Sequence, residues 1–252
     1  MRRAKPLAAM FVISVGSVMF LSACKEAEAP SHEPTVTITP APTTSAQEAI
    51  TVDEPQPGDE VIVPLTVKGT AGVFEGTVIV AVERADGTRT FCKTFTTAGE
   101  AAPGRGSFES QIAFPPPSEA LDARVRVYSE SPKDGSVQDL VTIPIVVSPD
   151  QPDIVVASPL CGDEVTSPIT VTGTASVFEA ALVVVVKDAS GQELARANVL
   201  ASEGAPARGT FSADLTFSLP DAPQNGTIEA FSDSPRDGSV VNLFSVPVTL
   251  AP

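Results

Sequence analysis

Apolar and polar residues alternate along most of the chain beyond residue 50. Val78, Val80 and Val82 repeat at every second position, and Leu182, Val184 and Val186 do the same. A period of two is the mark of a strand with one face in a core. The intervening Ile79 and Ala81, and likewise Val183 and Val185, are apolar too. That suits a central strand covered on both sides, or a sandwich strand near a domain contact. The same reading predicts strands near 49–54, 61–70, 88–95, 107–114, 121–130 and 137–147. Counterparts follow near 153–158, 165–174, 192–199, 210–217, 226–233 and 240–250, with turns such as Ala85-Asp86-Gly87 and Ala189-Ser190-Gly191 between them. Beyond the first 23 residues no segment has helical periodicity.

The two sets of strands are one unit written twice. At an offset of 104 residues, Gly58-Asp59-Glu60-Val61 returns as Gly162-Asp163-Glu164-Val165, and Leu65 through Gly69-Thr70-Ala71 as Ile169 through Gly173-Thr174-Ala175. Val73-Phe74-Glu75 returns as Val177-Phe178-Glu179. After the offset falls to 103, Arg105-Gly106 matches Arg208-Gly209, and Ser131-Pro132-Lys133-Asp134-Gly135-Ser136 matches Ser234-Pro235-Arg236-Asp237-Gly238-Ser239. Each unit has the length of an independent domain and is too long for a solenoid repeat. About seven short strands in roughly 100 residues predict an all-β fold, two tandem antiparallel sandwiches of immunoglobulin type over 50–148 and 153–251. The proline-bearing junction Ser148-Pro149-Asp150-Gln151-Pro152 should be stiff.

With no Trp and one Tyr, the cores must be built from Val, Ile, Leu and Phe. The matched candidates in the first domain are Leu65, Val67, Phe74, Val80, Phe108, Ile112, Phe114, Val125, Leu140 and Ile143. In the second they are Ile169, Val171, Phe178, Val184, Phe211, Leu215, Phe217, Ile228, Leu243 and Val246. Phe108 and Phe211 are expected to fill the place that Trp holds in antibody domains. Glu75 and Glu179, placed between an aromatic residue and an apolar strand, are expected to need partners, Lys133 and Arg236 or strand-end backbone donors.

The first 23 residues open with Arg2, Arg3 and Lys5, run through an apolar stretch and close on Leu21-Ser22-Ala23 before Cys24. This is the pattern of a lipoprotein signal peptide, whose cysteine takes a diacylglycerol before cleavage, with palmitate among the expected acyl chains. The stretch from Pro6 to Ser22 lies at the lower limit for a membrane-spanning helix. Cleavage removes three positive charges and no negative ones, taking the formal charge from −15 to −18. So acidic a chain repels phosphate backbones and anionic head groups, which leaves no role for nucleic acid and makes the lipid on Cys24 the membrane contact. Residues 24–49 are rich in Pro, Thr, Ser and Ala and predict a disordered tether, able to reach on the order of 80 Å when extended. His32, the one histidine, falls in this tether and is read as solvated.

Taken together the motifs resemble the bacterial spore-germination immunoglobulin-like domain, also described as the GerMN-associated domain. The resemblance rests on the strand ending Gly-Thr-Ala, the Val-Phe-Glu that follows, the Ser-Pro-Lys/Arg-Asp-Gly-Ser segment, and a last strand with internal Pro144 or Pro247. It implies an extracytoplasmic module for binding or assembly, with no catalytic residues. No GerMN domain accompanies the repeats, so a role in germination does not carry over.

The chemistry-bearing residues are few. Ser131, Lys133, Asp134 and Gly135, with Ser234, Arg236, Asp237 and Gly238, are the candidate interaction loops, and they also make good hairpin turns. Glu130 with Asp134, or Asp233 with Asp237, lack the regular ligand series of a calcium loop, so no metal or other cofactor is assigned. Cys92 and Cys161 have no cysteine counterparts in the opposite copy, so any disulfide joins the two domains or two molecules. An interdomain bridge needs a folded-back arrangement, because Cys161 is expected at the pole far from the junction. Without a folded histidine, zinc-ligand cluster or phosphate-cradling loop, no enzyme is predicted. The expected function is that of a lipid-anchored binding or scaffolding protein on the extracytoplasmic side of the cell membrane, with an envelope protein or cell-wall ligand as partner. Alternatives are an accessory subunit of an envelope enzyme or transporter, and a cell-wall polysaccharide-binding module, against which the absence of Trp weighs.

Overall fold

The computed structural model describes residues 48–252. The leader, Cys24, His32 and nearly all of the tether lie outside the described residues. The first repeat contains β1 (Ile50–Glu54), β2 (Glu60–Val61), β3 (Leu65–Ala71), β4 (Thr77–Arg84), β5 (Thr90–Thr97), β6 (Gly106–Ile112), β7 (Leu121–Glu130) and β8 (Val137–Val147). The second contains β9 (Ile154–Ser158), β10 (Glu164–Val165), β11 (Ile169–Ala175), β12 (Ala181–Asp188), β13 (Glu193–Leu200), β14 (Gly209–Leu215), β15 (Gln224–Asp233) and β16 (Val240–Leu250). In each domain a three-stranded sheet, β1-β3-β6 or β9-β11-β14, faces a five-stranded one, β2-β8-β7-β4-β5 or β10-β16-β15-β12-β13. This is the expected immunoglobulin-like sandwich.

The strand expected over 61–70 is two strands. β2 runs parallel to β8 in the larger sheet, whereas β3 pairs with β1 and β6 in the smaller one. The chain changes sheets between them, at Pro64, whose missing N–H suits a break in the ladder. Pro168 stands at the same place between β10, parallel to β16, and β11. One segment thereby closes both layers of its domain.

Burial follows the alternation in β3, β6 and most of β7, with Val67, Ile112 and Val125 fully buried, whereas β4 is buried on both faces from Val78 to Glu83, as a central strand covered on both sides should be. Four candidate core residues are not in the core. Phe74 and Phe178 are 60% and 64% exposed, because the inward position is taken by Val73 and Val177 and a single 3-10 turn follows. Leu140 is exposed as well: the pairing slips between Val127 and Ser129, Asp139 adopts φ 54°, and one extra residue turns its neighbours to the opposite face. The equivalent slip at Asn242 leaves Leu243 packed on the outer face of its sheet with Val183, Val185 and Phe231, while Phe244 fills the core.

The glycine of each Gly-Thr-Ala has a steric reason. Gly69 lies opposite Phe108 and Gly173 opposite Phe211 in the β3–β6 and β11–β14 ladders. A Cβ on Gly69 would come within 2.8 Å of Phe108 Cζ and collide with the Thr51 carbonyl; one on Gly173 would come within 2.6 Å of Phe211 Cζ and collide with the Val155 carbonyl. Each ring lies over a bare backbone, and the first strand crosses close behind it.

On the outer face of the larger sheet the duplication has kept an ion pair while reversing it. Glu83 accepts from Arg124 Nη2 at 2.8 Å and Arg126 Nη1 at 2.9 Å; the positions of Glu83 and Arg126 are held in the second domain by Lys187 and Glu229, 2.7 Å apart. Burial pushes the Glu83 carboxyl up, but the hydrogen bonds from Arg124 and Arg126 outweigh it and hold the pKa below its ordinary value.

Two predictions follow from this packing. Gly173→Ala should destabilise the second domain by about 1–3 kcal/mol through overpacking, read as a lower urea midpoint for that domain with the first unchanged. The stabilisation from Glu83 is fully present above the ordinary glutamate range and is lost as the pH falls through its depressed folded value. Glu83→Gln should therefore lower the melting temperature at pH 7 and flatten its decline on acidification, measured by calorimetry from pH 7 to 3.

Candidate interaction surfaces

The repeated Ser-Pro-Lys/Arg-Asp-Gly-Ser segments are rigid hairpin tips between β7 and β8 and between β15 and β16. Ser131 N–H donates to the Ser136 carbonyl and Gly135 N–H to the Ser131 carbonyl, both at 2.8 Å. Asp134 Oδ1 accepts from Ser136 Oγ at 2.7 Å and from its N–H at 3.1 Å, and Gly135 takes φ 69°. Ser234, Asp237, Gly238 and Ser239 repeat every one of these bonds, with Gly238 at φ 72°. The bonds from Ser136 and Ser239, hydroxyl first and backbone second, hold both aspartates below the ordinary carboxylate range. These carboxylates serve their own turns. The side chains of Lys133 and Arg236 are exposed and form no ion pair among the described residues.

Glu75 and Glu179 do not meet Lys133 or Arg236. Both are exposed at φ 52°, so solvent takes the place of the expected partner and the carboxylates carry no burial cost. Their left-handed backbone is uncommon for a residue with a side chain, and it lies inside the short turn that each phenylalanine opens. The result is an exposed ring beside each hairpin. Phe74, Ile79, Ser131 and Pro132 line a shallow cavity of about 260 Å³, and Phe178, Val183, Leu200, Ser234 and Pro235 line one of about 410 Å³. The alternation did mark these phenylalanines, but as core. They fall one position out of phase with the buried pairs Ala71 and Val73, and Ala175 and Val177, just where each strand gives way to a turn.

Arg105 and Arg208 are structural positions that pattern alone leaves unexplained. Arg105 reaches Thr51 Oγ1 at 2.8 Å, Thr70 Oγ1 and the Ala49 carbonyl at 2.9 Å, and also the Glu48 carbonyl, so it fastens the first strand where the tether arrives. Arg208 donates to the Pro152 carbonyl at 2.6 Å and to Thr174 Oγ1 at 3.3 Å, and so fastens the interdomain junction. The available signal was the matched Arg-Gly pair, a charge retained in both copies.

Cys92 and Cys161 form a disulfide between the domains, with Cα atoms 5.1 Å apart across 69 residues of sequence. Cys92 is buried in β5, and Cys161 sits in the β9–β10 loop. The second domain is thereby folded back against the side of the first. Next to the bridge, Leu160 borders a cavity with Phe91 and Phe114, whose rings stack at 5.1 Å. Beyond it, a cleft of about 520 Å³ separates the β5–β6 flank of the first domain from the β12–β13 turn and the ends of β15 and β16.

The sequence model of the immunoglobulin-like domain of bacterial spore germination matches residues 49–136 and again 153–239. The chain belongs to this family. Both matches contain the Phe-Glu turn and the hairpin described above. No curated protein sequence matches the chain. Among solved structures it is similar to a biofilm-associated protein's BSP domain, at 20% identity and TM-score 0.25 over 79% of this chain and 29% of that one. It is also similar to the fibronectin(III)-like modules of Clostridium thermocellum CbhA, at 15% identity and TM-score 0.24 over 80% and 94%. A third is dimeric latent PorU from Porphyromonas gingivalis, at 12% identity and TM-score 0.27 over 79% and 23%. No inference about this chain rests on likenesses at such TM-scores. Tandem domains of the family suit a binding or scaffolding module.

Because the two rings lie outside the core, Phe74→Ser/Phe178→Ser should change stability by no more than about 0.5 kcal/mol. Phe108→Ala should cost about 3–5 kcal/mol. Urea unfolding of the two variants side by side tests the assignment.

Proposed function

We propose that the protein is a lipid-anchored binding or scaffolding protein, displayed on the extracytoplasmic side of the cell membrane and acting without catalysis. The observation that carries this reading is the repeated surface: both domains hold an exposed aromatic ring beside a rigid hairpin, where a monomeric domain gains nothing from exposing it. Two such surfaces on one chain favour a bivalent grip on a protein partner in the envelope. The lipobox ending at Cys24 supports the anchor, and the Pro/Thr-rich tether supports display at a distance from the membrane. The partner acts through apolar contact, because the formal charge of −18 after cleavage disfavours anionic surfaces.

Cys24→Ala should leave both domains folded and move the protein from the membrane fraction to the soluble fraction. Retention in the membrane fraction would contradict the lipid anchor. Crosslinking on intact cells, followed by identification of the attached proteins, should yield a partner whose recovery falls sharply for Phe74→Ser/Phe178→Ser; equal recovery would contradict the aromatic surface.

A further inference from the structure

The cleft between the domains differs in chemistry from the aromatic surfaces. Thr94 and Gln111 on the first domain, and Asn225, Thr227, Ser245 and Thr249 on the second, all line it. None of these six side chains makes a hydrogen bond among the described residues. Each bears a hydroxyl or a primary amide, and both groups donate and accept, as sugar hydroxyls do. Phe95, 52% exposed, borders the same space and offers an apolar ring face.

The charges around the cleft are largely neutralised. Lys187 pairs with Glu229 at 2.7 Å, and Lys93 with Glu130 at 3.2 Å. Glu109 and Asp188 remain, and hydrogen bonds from Ser190 and Gln192 hold Asp188 in its charged form. The residual charge is negative, so a polyanion is repelled, while an uncharged polar ligand pays nothing for it.

We infer that the interdomain cleft is a binding site for an uncharged oligosaccharide, with Gln111 and Asn225 gripping it from opposite walls and Phe95 lying against a ring face. The site is composite. Neither domain contributes more than one wall, and Cys92–Cys161 holds the walls together. This lies beyond the protein-binding role proposed above and uses different residues, so either can fail without the other.

The test is calorimetric titration of the full-length protein in detergent with cellohexaose, N-acetylchitohexaose and maltohexaose. Polygalacturonate serves as the anionic comparison, and reduced, carboxymethylated lactalbumin as an extended polypeptide. Saturable binding is expected for at least one neutral hexasaccharide and for neither comparison. Gln111→Ala/Asn225→Ala should weaken that binding by about tenfold or more. Cys92→Ala/Cys161→Ala should weaken it as well, while Phe74→Ser/Phe178→Ser leaves it unchanged. Failure of all three hexasaccharides to bind would overturn the inference. So would undiminished affinity in Gln111→Ala/Asn225→Ala, or preferential binding of the polypeptide or the polygalacturonate.

Discussion

One covalent constraint fixes where the two sandwiches meet. Buried apolar residues of the two domains run together in one cluster, but the junction of a few residues between β8 and β9 gives no reason of its own for the second to meet the first at the edge of β5. The bridge between Cys92 and Cys161 supplies that reason. It pins the β9–β10 loop to the edge of β5, seats Leu160 beside Phe91 and Phe114, and leaves the polar cleft enclosed on two sides. Arg208 holds the Pro152 carbonyl to the second domain, as Arg105 holds those of Glu48 and Ala49 to the first. The disulfide ties the two domains of the tandem into one body.

Inside each sandwich the binding and structural requirements are met by separate parts of one motif. The Gly-Thr-Ala strand admits a phenylalanine ring over a bare backbone, and the Val-Phe-Glu that follows sends a second phenylalanine outside. A strained Glu at φ 52° in both copies marks the division. Strain of this kind persists where surrounding structure imposes it, and here it coincides with the most exposed aromatic of each domain. The hairpin beside it is held by its own aspartate and serines, so the ring and the loop make a preformed surface.

The two copies also show which features the fold requires and which it merely permits. Glu83 with Arg126, and Lys187 with Glu229, hold corresponding positions with opposite signs. The sheet face demands a neutralised pair there, and either polarity provides it. The cleft, by contrast, uses residues that the copies do not share in role: the flank of β5 and β6 from one domain faces the ends of strands from the other. A duplicated sequence has therefore produced a surface without internal symmetry.

The sequence by itself determined the all-β class, the duplication, nearly every strand and most of the core. These follow from local alternation and turn residues, which act over a few positions. It located the hairpins and named the two cysteines, yet left open whether these bridge domains or molecules. The tertiary structure alone decided that Phe74, Phe178 and Leu140 face outward: a turn opens at each phenylalanine one position out of phase with the buried strand residues, and one extra residue in β8 inverts the alternation at Leu140. It alone joined Leu160 to the neighbourhood of Phe91 and Gln111 to that of Asn225. Those meetings depend on how two domains dock, and no periodicity along the chain encodes a docking angle.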